Sequence, residues 1–470
     1  MSANENLSVA ALRSVLDLQR NAQLASEPWS AEQRIELIDR AIGLVVDHQV
    51  ELVEALAKDF GHRSHDFSRL YDVLGSLTPL KYAKANLANW MQPDPRPSNR
   101  GEAWVQYQPL GVVGIVTAWN FPVHMVFSGL ADALAAGNRV MLKVSEFNPN
   151  TSALLARLFS SVYAMDEVAL FTGGAEVGQA FCSLPFDHLL FTGASSIGKQ
   201  VMRAAAENLV PVTLELGGKS PTLISRSADL TKSVTRILTA KLHNAGQICL
   251  APDYVLLPEE LQDQFVDTAR QVVANLYPTL KDNPDYTSII NARHFERLQG
   301  YLQEARAAGV EVIELNPAGE YFADQPHHKL VPTLLRNPGD ELRVMQDEIF
   351  GPLLPFKTYR DMDQALAYIN AHPRPLGLYY FGEDAEEERR VLSGTCSGGV
   401  TLNDALRHAG VESMPFGGVG ASGMGAYHGF DGFRTFSHAK SVLRATDGLD
   451  LMRPPYSDAV RQIVSSLITR

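Results

Sequence analysis

A possible nucleophile, Cys249, lies in the stretch LHNAGQICLAPDY (242–254), among small and amide residues and close to a proline. A thiolate at this position could attack an electrophilic carbon, provided that a base and an oxyanion donor lie near it. Taken alone, the stretch favours a small buried thiol. Whether Cys249 reacts therefore depends on residues elsewhere in the chain.

Two polar residues at predicted strand ends could assist this cysteine. Glu215 lies late in a strand and before a Gly-Gly turn in VTLELGGKSP (212–221), and Asn120 follows another strand in VTAWNFP (116–122). Side chains at the carboxyl edge of a parallel sheet project into a shared cleft. A carboxylate there could act as a base, and an amide could donate a hydrogen bond to a developing oxyanion.

The other candidates for cysteine chemistry are weaker. Cys396 in GTCSGG resembles a nucleophile elbow, but the next residues read as a strand, whereas an elbow needs a helix. Cys182, in AFCSLPF, is most simply a buried thiol. His243 is near Cys249 in sequence and could suggest a cysteine hydrolase, but its helical separation from the thiol is poor for a catalytic pair.

Two further stretches could contact a nucleotide. HLLFTGASSIGKQ (188–200) places Gly193 and Gly198 between a strand and a helix, where backbone N–H groups can face a phosphate. VMLKVSE (140–146) carries Lys143 and Glu146 at a strand end, either as contacts to a ribose or as a solvated pair. The literal G-x-G-x-x-G at 418–423 lacks a following helix, so we interpret it as a tight loop.

The elements that position these residues alternate in type. From about residue 105, apolar strands alternate with helices of 10–15 residues, which predicts βαβ units and a mostly parallel sheet. A second α/β pattern runs from 218 to about 424. Before them, the apolar periodicity predicts one helix over residues 30–58, with a capping-box pair at Ser30 and Gln33. Residues 90–104 form a proline-rich break typical of a hairpin arm or linker.

Composition excludes several classes of protein. The net charge of −12 argues against a nucleic-acid or anionic-membrane surface. The three scattered cysteines argue against a disulfide framework and a zinc site, and favour a reducing compartment. The first 25 residues lack the pattern of a secretory signal, and no apolar run approaches the ~18 residues of a membrane span.

Five motifs together resemble the aldehyde dehydrogenase superfamily along nearly the whole chain: TAWNFP, FTGASSIGK, ELGGKSP, GQICLAPDY and DEIFGP occur in that family's order. CLAPDYV, MPFGGVGASGMGAYHG and LMRPPY resemble the class 3 branch of fatty and aromatic aldehyde dehydrogenases, and within it the bacterial coniferyl aldehyde dehydrogenases.

The resemblance assigns a role to each candidate. It implies that Cys249 is the nucleophile, Glu215 the general base and Asn120 the oxyanion donor. The residues implied to bind NAD, with NADP also allowed, are Lys143, Glu146, Gly193, Ser195, Gly198, Glu348 and Phe350. Val144 departs from the family, which usually has proline there, and so could alter the turn at the ribose site.

The fold implied by the resemblance is α/β with three parts. A Rossmann-like dinucleotide-binding domain would take residues 1–90 and 107–217, and an α/β catalytic domain would take 218–424. A small β oligomerisation arm and tail would take 91–106 and 425–470. Members of this branch are typically dimers, so we expect a homodimer. The reducing compartment that the cysteines favour predicts a cytoplasmic location.

The expected activity is NAD(P)-dependent oxidation of an aldehyde to its acid through a Cys249 thioester, with a coniferyl- or cinnamyl-type substrate. A fatty or medium-chain aldehyde is the alternative substrate. A CoA-acylating dehydrogenase, a cysteine hydrolase and a non-catalytic protein are further alternatives, which the presence of both Cys249 and Glu215 disfavours.

Overall fold

The computed structural model describes residues 9–446 and 453–468. The β-strands in these ranges are β1 (Asp94–Arg96), β2 (Gly101–Pro109), β3 (Val112–Val116), β4 (Arg139–Lys143), β5 (Val168–Phe171), β6 (His188–Thr192), β7 (Val212–Glu215), β8 (Pro221–Ile224), β9 (Tyr254–Pro258), β10 (Glu311–Glu314), β11 (Thr333–Arg336), β12 (Leu353–Tyr359), β13 (Gly377–Phe381), β14 (Gly399–Leu402), β15 (Gly423–Met424) and β16 (Ser437–Ala445).

The α-helices in the same ranges are α1 (Val9–Ala25), α2 (Ala31–Asp47), α3 (Gln49–Phe60), α4 (His65–Ser68), α5 (Gly75–Trp90), α6 (His124–Ala135), α7 (Pro149–Val162), α8 (Ala175–Cys182), α9 (Ser195–Ala206), α10 (Leu230–Leu242), α11 (Gln262–Leu276), α12 (Ala292–Ala307), α13 (Arg343–Gln346), α14 (Met362–Asn370), α15 (Ala385–Gly394), α16 (Gly429–Thr435) and α17 (Asp458–Leu467).

The first large sheet has the order β15-β7-β6-β3-β4-β5. Its strands are parallel except β15, which pairs antiparallel with β7. Alternate residues of β3, β4, β5 and β6 belong to different apolar clusters, as Val113 and Val112 of β3 do. Helices therefore cover both faces, which gives the predicted doubly wound α/β architecture.

A second large sheet has the order β10-β11-β12-β9-β8-β13-β14 and is parallel apart from β10. It too separates two apolar clusters, with Leu256 and Val255 of β9 on opposite faces. The predicted second α/β pattern is thus confirmed as a separate sheet. The domain boundaries at particular residues stay a prediction. Strand β15 and helix α16 pack on the first sheet and its helices.

The third sheet is a small antiparallel one with the order β1-β2-β16. The proline-rich break forms its first hairpin, and β16 brings the C-terminal extended segment back to it. The segment LMRPPY falls partly outside the described residues.

Two expectations about helices need correction. The single helix predicted over 30–58 is wrong, because α2 and α3 are separate helices that meet at His48, whose backbone leaves the helical region. The capping box of Ser30 and Gln33 is confirmed. Apolar periodicity continues across the break, so it could not reveal the change of direction. Strand β5 and helix α8 are two elements that the sequence patterns did not indicate.

In the described ranges, no helix combines the length and the apolar character that crossing a bilayer requires.

Candidate active site

The carboxyl ends of four parallel strands open onto one cavity of about 1790 Å³. These strands are β3, β4, β6 and β7, and the chain order reverses at β3, where doubly wound sheets bind their ligands. Loops of the second sheet form the opposite wall, including the segment around Cys249 and that around Glu348.

Cys249 lies on the wall of this cavity, in the loop between α10 and β9. The residue is half-buried. Burial raises the pKa of its thiol to about 12, and the nearby carboxyls of Glu348 and Glu215 contribute to the rise. The thiol is therefore protonated at neutral pH in the absence of ligands, and a base must accept its proton before it attacks a carbon.

The backbone that presents Cys249 is held in an uncommon conformation. Asn244, Ala245 and Gly246 all have positive φ, at 50°, 52° and 77°. Non-glycine residues in this region each cost about 1 kcal/mol or more, a strain typical of functional sites. A side chain on Gly246 would clash with the carbonyl of Gly351, so the close approach of these two loops requires glycine.

Gln247 anchors the same loop from within the protein. Its amide nitrogen donates to the carbonyls of Asn244 at 2.8 Å and Ser288 at 3.0 Å, and its amide oxygen accepts from the backbone of Ile290 at 3.0 Å. All amide atoms of this fully buried side chain thus have partners. These bonds fix the strained loop on which Cys249 is carried.

Glu215 ends β7 and is buried at the cavity wall. Neither of its carboxyl oxygens has a hydrogen-bond partner among the described residues. Burial raises its pKa well above the ordinary value for glutamate. A carboxyl that is buried yet unpaired is poised to take a proton from a bound water, because its basicity is increased.

Asn120 follows β3 and is also buried at the cavity. Its amide nitrogen donates to the carbonyl of Gln247 at 3.1 Å, which leaves its second N–H for another acceptor. The guanidinium of Arg63 donates to the Asn120 carbonyl at 3.1 Å, and is itself paired with Asp72 at 2.6 Å. This buried ion pair therefore fixes the backbone of the proposed oxyanion donor.

Lys143 and Glu146 line the cavity beyond β4, with Nζ and the carboxylate 3.7 Å apart. Burial lowers the pKa of Lys143. The Lys143 ammonium also donates to the carbonyl of Val144 at 2.6 Å, and the Val144 N–H donates to Phe171 at 3.1 Å. Proline at 144 could not make the second bond, so this departure from the family adds a hydrogen bond to the sheet.

The turn from β6 into α9 supplies a second part of this end of the cavity. A side chain on Gly193 would lie 2.7 Å from the ring of Phe191, and one on Gly198 would lie 2.7 Å from Leu216. Ser195 begins α9, lines the cavity, and donates through its hydroxyl to the carbonyl of Ala421 at 3.2 Å. Close packing around glycines at a helix N-terminus suits a pyrophosphate.

Glu348 and Phe350 line the cavity between this turn and Cys249. The carboxylate of Glu348 lies directly over Gly217, and one of its oxygens is buried with no hydrogen-bond partner in the part of the chain that the structure describes. Burial raises its pKa to about 8. Phe350 has a φ of 48° and packs edge-on against Trp119. An unpaired carboxylate oxygen facing an open cavity can accept a ribose hydroxyl, so these residues fit a dinucleotide.

The structure places the remaining cysteines and His243 as follows. Cys396 is exposed and does not line the cavity. Cys182 is buried at the cavity wall near Lys143, and burial raises the pKa of its thiol to about 12. His243 lines the cavity, but its Nδ1 is 3.0 Å from the hydroxyl of Tyr71.

Sequence reasoning missed the residues of the other end of the cavity. An apolar cluster surrounds Cys249 there, drawn from distant segments. The cavity-lining members of this cluster are Tyr71, Phe121, Met125, Ile248, Leu250, Leu376, Leu406, Ala409 and Phe416. Their aromatic and apolar types were visible in the sequence, but no local pattern indicated that they converge.

Comparison with known proteins identifies the family of the chain. The model of the aldehyde dehydrogenase family matches residues 5–442. A probable coniferyl aldehyde dehydrogenase of Caulobacter vibrioides is 51% identical over all of both chains. The coniferyl aldehyde dehydrogenase of Pseudomonas sp. strain HR199 is 51% identical over 97% of this chain and 96% of the relative. The chain belongs to the aldehyde dehydrogenase family and is an oxidoreductase acting on aldehydes.

Solved structures give the same fold. A substrate-bound Staphylococcus aureus AldH has a TM-score of 0.91 at 33% identity, covering 97% of this chain and 99% of that one. A Mycobacterium tuberculosis aldehyde dehydrogenase complexed with NAD+ has a TM-score of 0.84 at 27% identity, covering 93% and 90%. The predicted fold class is confirmed.

Proposed function

We propose that this protein oxidises an aromatic aldehyde of the coniferyl or cinnamyl type to its carboxylic acid, with NAD(P)+ as oxidant and Cys249 as nucleophile. The observation that carries the proposal is the convergence of Cys249, Glu215 and Asn120 on one cavity, which continues to the residues suited to a dinucleotide.

The first step proceeds at Cys249. Its thiol loses a proton to solvent in the cavity, and the thiolate adds to the aldehyde carbon to give a thiohemiacetal. The free N–H of the Asn120 amide stabilises the oxyanion that forms, and the Cys249 backbone N–H is a second donor. One such donor typically contributes on the order of 3 kcal/mol.

Binding of the cofactor is assigned to Lys143 and Glu146 at the adenosine ribose, the turn of Gly193, Ser195 and Gly198 at the pyrophosphate, and Glu348 and Phe350 at the nicotinamide end. When bound, NAD(P)+ supplies the acceptor for the hydride that leaves the substrate carbon. Glu146 favours NAD because a 2′-phosphate beside this carboxylate would be repelled. The NAD held by the solved Mycobacterium tuberculosis relative supports this assignment.

The last step releases the acid. Loss of hydride leaves a thioester on Cys249, and Glu215 takes a proton from a water that attacks its carbonyl carbon. The raised pKa of Glu215 supports this role, since a more basic carboxylate is a better proton acceptor. The presence of this carboxyl also favours hydrolysis over transfer to CoA.

The proposal of an aromatic substrate is supported by two observations. Relatives at 47–51% identity are named coniferyl or probable coniferyl aldehyde dehydrogenases. The end of the cavity around Cys249 is lined by aromatic and apolar side chains, which suit a flat ring. The same apolar lining also favours a fatty or medium-chain aldehyde as the second candidate substrate.

A panel of aldehydes tests the proposal. Purified protein is given coniferyl aldehyde, benzaldehyde, hexanal and succinic semialdehyde, each with NAD+ and with NADP+, and reduced nicotinamide is followed by absorbance. We expect the largest kcat/KM with coniferyl aldehyde and NAD+. A larger value for hexanal would favour the second candidate, and dependence of turnover on added CoA, with acyl-CoA as product, would contradict hydrolysis.

Assembly and location are proposals as well. Strand β16 leaves one edge of the small sheet unpaired among the described residues, and an open edge can pair with another copy of the chain. We therefore assign β1, β2 and β16 to a dimerisation arm. The three cysteines form no disulfide, which supports a reducing compartment such as the cytoplasm. Light scattering of the purified chain would detect the dimer.

A further inference from the structure

At the substrate end of the cavity, a hydrogen-bonded polar pair lies among aromatic and apolar side chains. The hydroxyl of Tyr71 and Nδ1 of His243 are 3.0 Å apart, and the two rings meet edge-on at 5.2 Å. Both residues line the cavity and are half-buried. The rings of Phe67 and Phe121 pack around them, so the pair is set in an aromatic wall.

Local structure fixes where these two side chains lie. Tyr71 is part of a π-helical segment, Arg69–Leu74, which joins α4 to α5. Such segments are rare and are frequent at functional sites. His243 directly follows α10 and precedes the strained loop of Cys249, so the backbone that carries the nucleophile also carries this imidazole.

Both members of the pair are neutral at pH 7. Burial lowers the pKa of His243 to about 4, with the Arg407 guanidinium adding to the effect. Burial raises the pKa of Tyr71. A neutral imidazole carries one donor nitrogen and one acceptor nitrogen, and a phenol carries one donor.

The pair therefore keeps one unused donor whichever way its internal hydrogen bond runs. If the Tyr71 hydroxyl donates to Nδ1, the hydrogen of His243 lies on Nε2; if Nδ1 donates, the Tyr71 hydroxyl is free to donate. Among the described residues, Nε2 of His243 makes no hydrogen bond. The two residues that share this unused donor both line the cavity.

A cluster of two arginines and one aspartate lies on the cavity wall, and Arg407 and Asp404 of this cluster act electrostatically on the pair. Asp404 lies 3.3 Å from the guanidinium of Arg407 and 3.9 Å from that of Arg236, and all three residues line the cavity. Two cations beside one carboxylate favour an electron-rich oxygen on a ligand nearby. A phenolic hydroxyl conjugated with an aldehyde gives electron density to the carbonyl and is more acidic than an ordinary phenol, so nearby cations favour it over an unsubstituted ring or an alkyl chain.

We propose that Tyr71 and His243 form a subsite for the ring hydroxyl of a hydroxylated aromatic aldehyde and set the preference for such substrates over unsubstituted ones. The inference rests on the proposed function, since it requires the aldehyde carbon at Cys249 and the ring along the aromatic wall. The subsite acts on substrate binding, remote from the reacting carbon, so its effect belongs mainly in KM.

Matched substrates and variants test the subsite. We measure kcat/KM with NAD+ for 4-hydroxycinnamaldehyde, 4-methoxycinnamaldehyde and cinnamaldehyde in the wild type, His243→Phe and Tyr71→Phe. The control variant is Phe67→Leu, which changes the same wall without removing a polar group. Thermal unfolding verifies that each variant is folded.

We expect the wild type to prefer the hydroxylated aldehyde over cinnamaldehyde by about tenfold or more, the size of one net hydrogen bond. In His243→Phe and in Tyr71→Phe the preference falls about tenfold, because KM for the hydroxylated aldehyde rises. Phe67→Leu lowers kcat/KM for the hydroxylated aldehyde and for cinnamaldehyde by the same factor. His243→Gln, which retains an N–H donor, restores part of the preference.

Two results would overturn the subsite while leaving the proposed function intact: a wild type that oxidises all three aldehydes equally, or variants that lose activity equally on all three. A wild type that oxidises none of the aldehydes would instead contradict the proposed function itself.

Discussion

Two cysteines of this chain follow a glycine closely, and their loops differ in almost every physical respect. The loop of Cys249 is held by three consecutive left-handed residues and by the buried amide of Gln247. The loop of Cys396 is short and exposed, between α15 and β14. In the described part of the chain, Cys249 lines the cavity together with the proposed base and the proposed oxyanion donor, and Cys396 does not.

The comparison teaches that the surroundings distinguish a nucleophile from an ordinary thiol. GQIC and GTC look alike as strings, yet Cys249 lies near two buried carboxyls, whereas Cys396 lies outside the cavity. The cost of the strained loop is met by packing and hydrogen bonds, which the exposed loop does not need.

The largest difference is expected when each thiol is removed. Cys249→Ala should lower kcat/KM for aldehyde oxidation by a factor on the order of 10⁴ or more, because the covalent intermediate cannot form. Cys396→Ala should stay within about twofold of the wild type, since exposed changes away from a site have small effects. Steady-state assays measure both, and comparable losses in the two variants would remove the distinction.

A smaller loss is expected when the base is replaced. Glu215→Gln should keep a burst of reduced cofactor but slow steady turnover by roughly 10²–10³-fold, because only deacylation needs the base. In the wild type, deacylation should become faster as pH rises through the raised pKa of Glu215, since the carboxyl must lose its proton to act. Rapid-mixing assays across pH measure both effects.

Glutamine cannot titrate, so the pH dependence of deacylation should vanish in this variant. A variant that lost the burst would place Glu215 in the first step instead. If the Glu215→Gln variant kept the wild-type pH profile of deacylation, Glu215 would not be the base.

Replacing the proposed oxyanion donor should lower activity by a factor comparable to, or slightly smaller than, that of Glu215→Gln. Asn120→Ala removes an amide donor and should lower kcat/KM by roughly 10²-fold. The alkylation of Cys249 by iodoacetamide serves as the control, because it forms no oxyanion and should keep its rate. If alkylation slowed as much as turnover, Asn120 would act by positioning the loop and not by stabilising charge.

The smallest effect sharpens the contrast between the two loops. Gln247→Ala leaves buried backbone groups unpaired and should lower the free energy of unfolding by about 2 kcal/mol, with activity reduced about tenfold. Ser397→Ala, beside Cys396, removes one half-buried hydrogen bond to Gly399 and should cost less than about 1 kcal/mol. Denaturant titration of both variants measures the difference, and equal costs would show that the Cys249 loop is not specially supported.

Features of the fold and of the site could be predicted from the sequence where they depend on residues close together in the chain. Strand ends were readable from local patterns, so Glu215 and Asn120 could be placed at a sheet edge. Family motifs then supplied the relative positions of the cofactor residues. The alternation of strands and helices sufficed for the fold class, but not for the break at His48 or for the short β5 and α8.

The support of the site could not be predicted for a physical reason. Arg63 lies 57 residues from Asn120, and Ser288 lies 41 residues from Gln247, so no local spacing joins them. Ala245 carries no signal of left-handed backbone and Asn244 only tolerates it, because tertiary contacts impose this conformation. The pair of Tyr71 and His243 is likewise 172 residues apart in sequence.

Direct capture of the intermediate tests the central claim. Glu215→Gln is mixed with coniferyl aldehyde and NAD+, quenched in acid during the burst, digested and analysed by mass spectrometry. The account predicts the acyl group as a thioester on the peptide that contains Cys249, with the Cys396 peptide unmodified. An acyl group on Cys396 or Cys182, or reduced cofactor formed without any acylated cysteine, would contradict it.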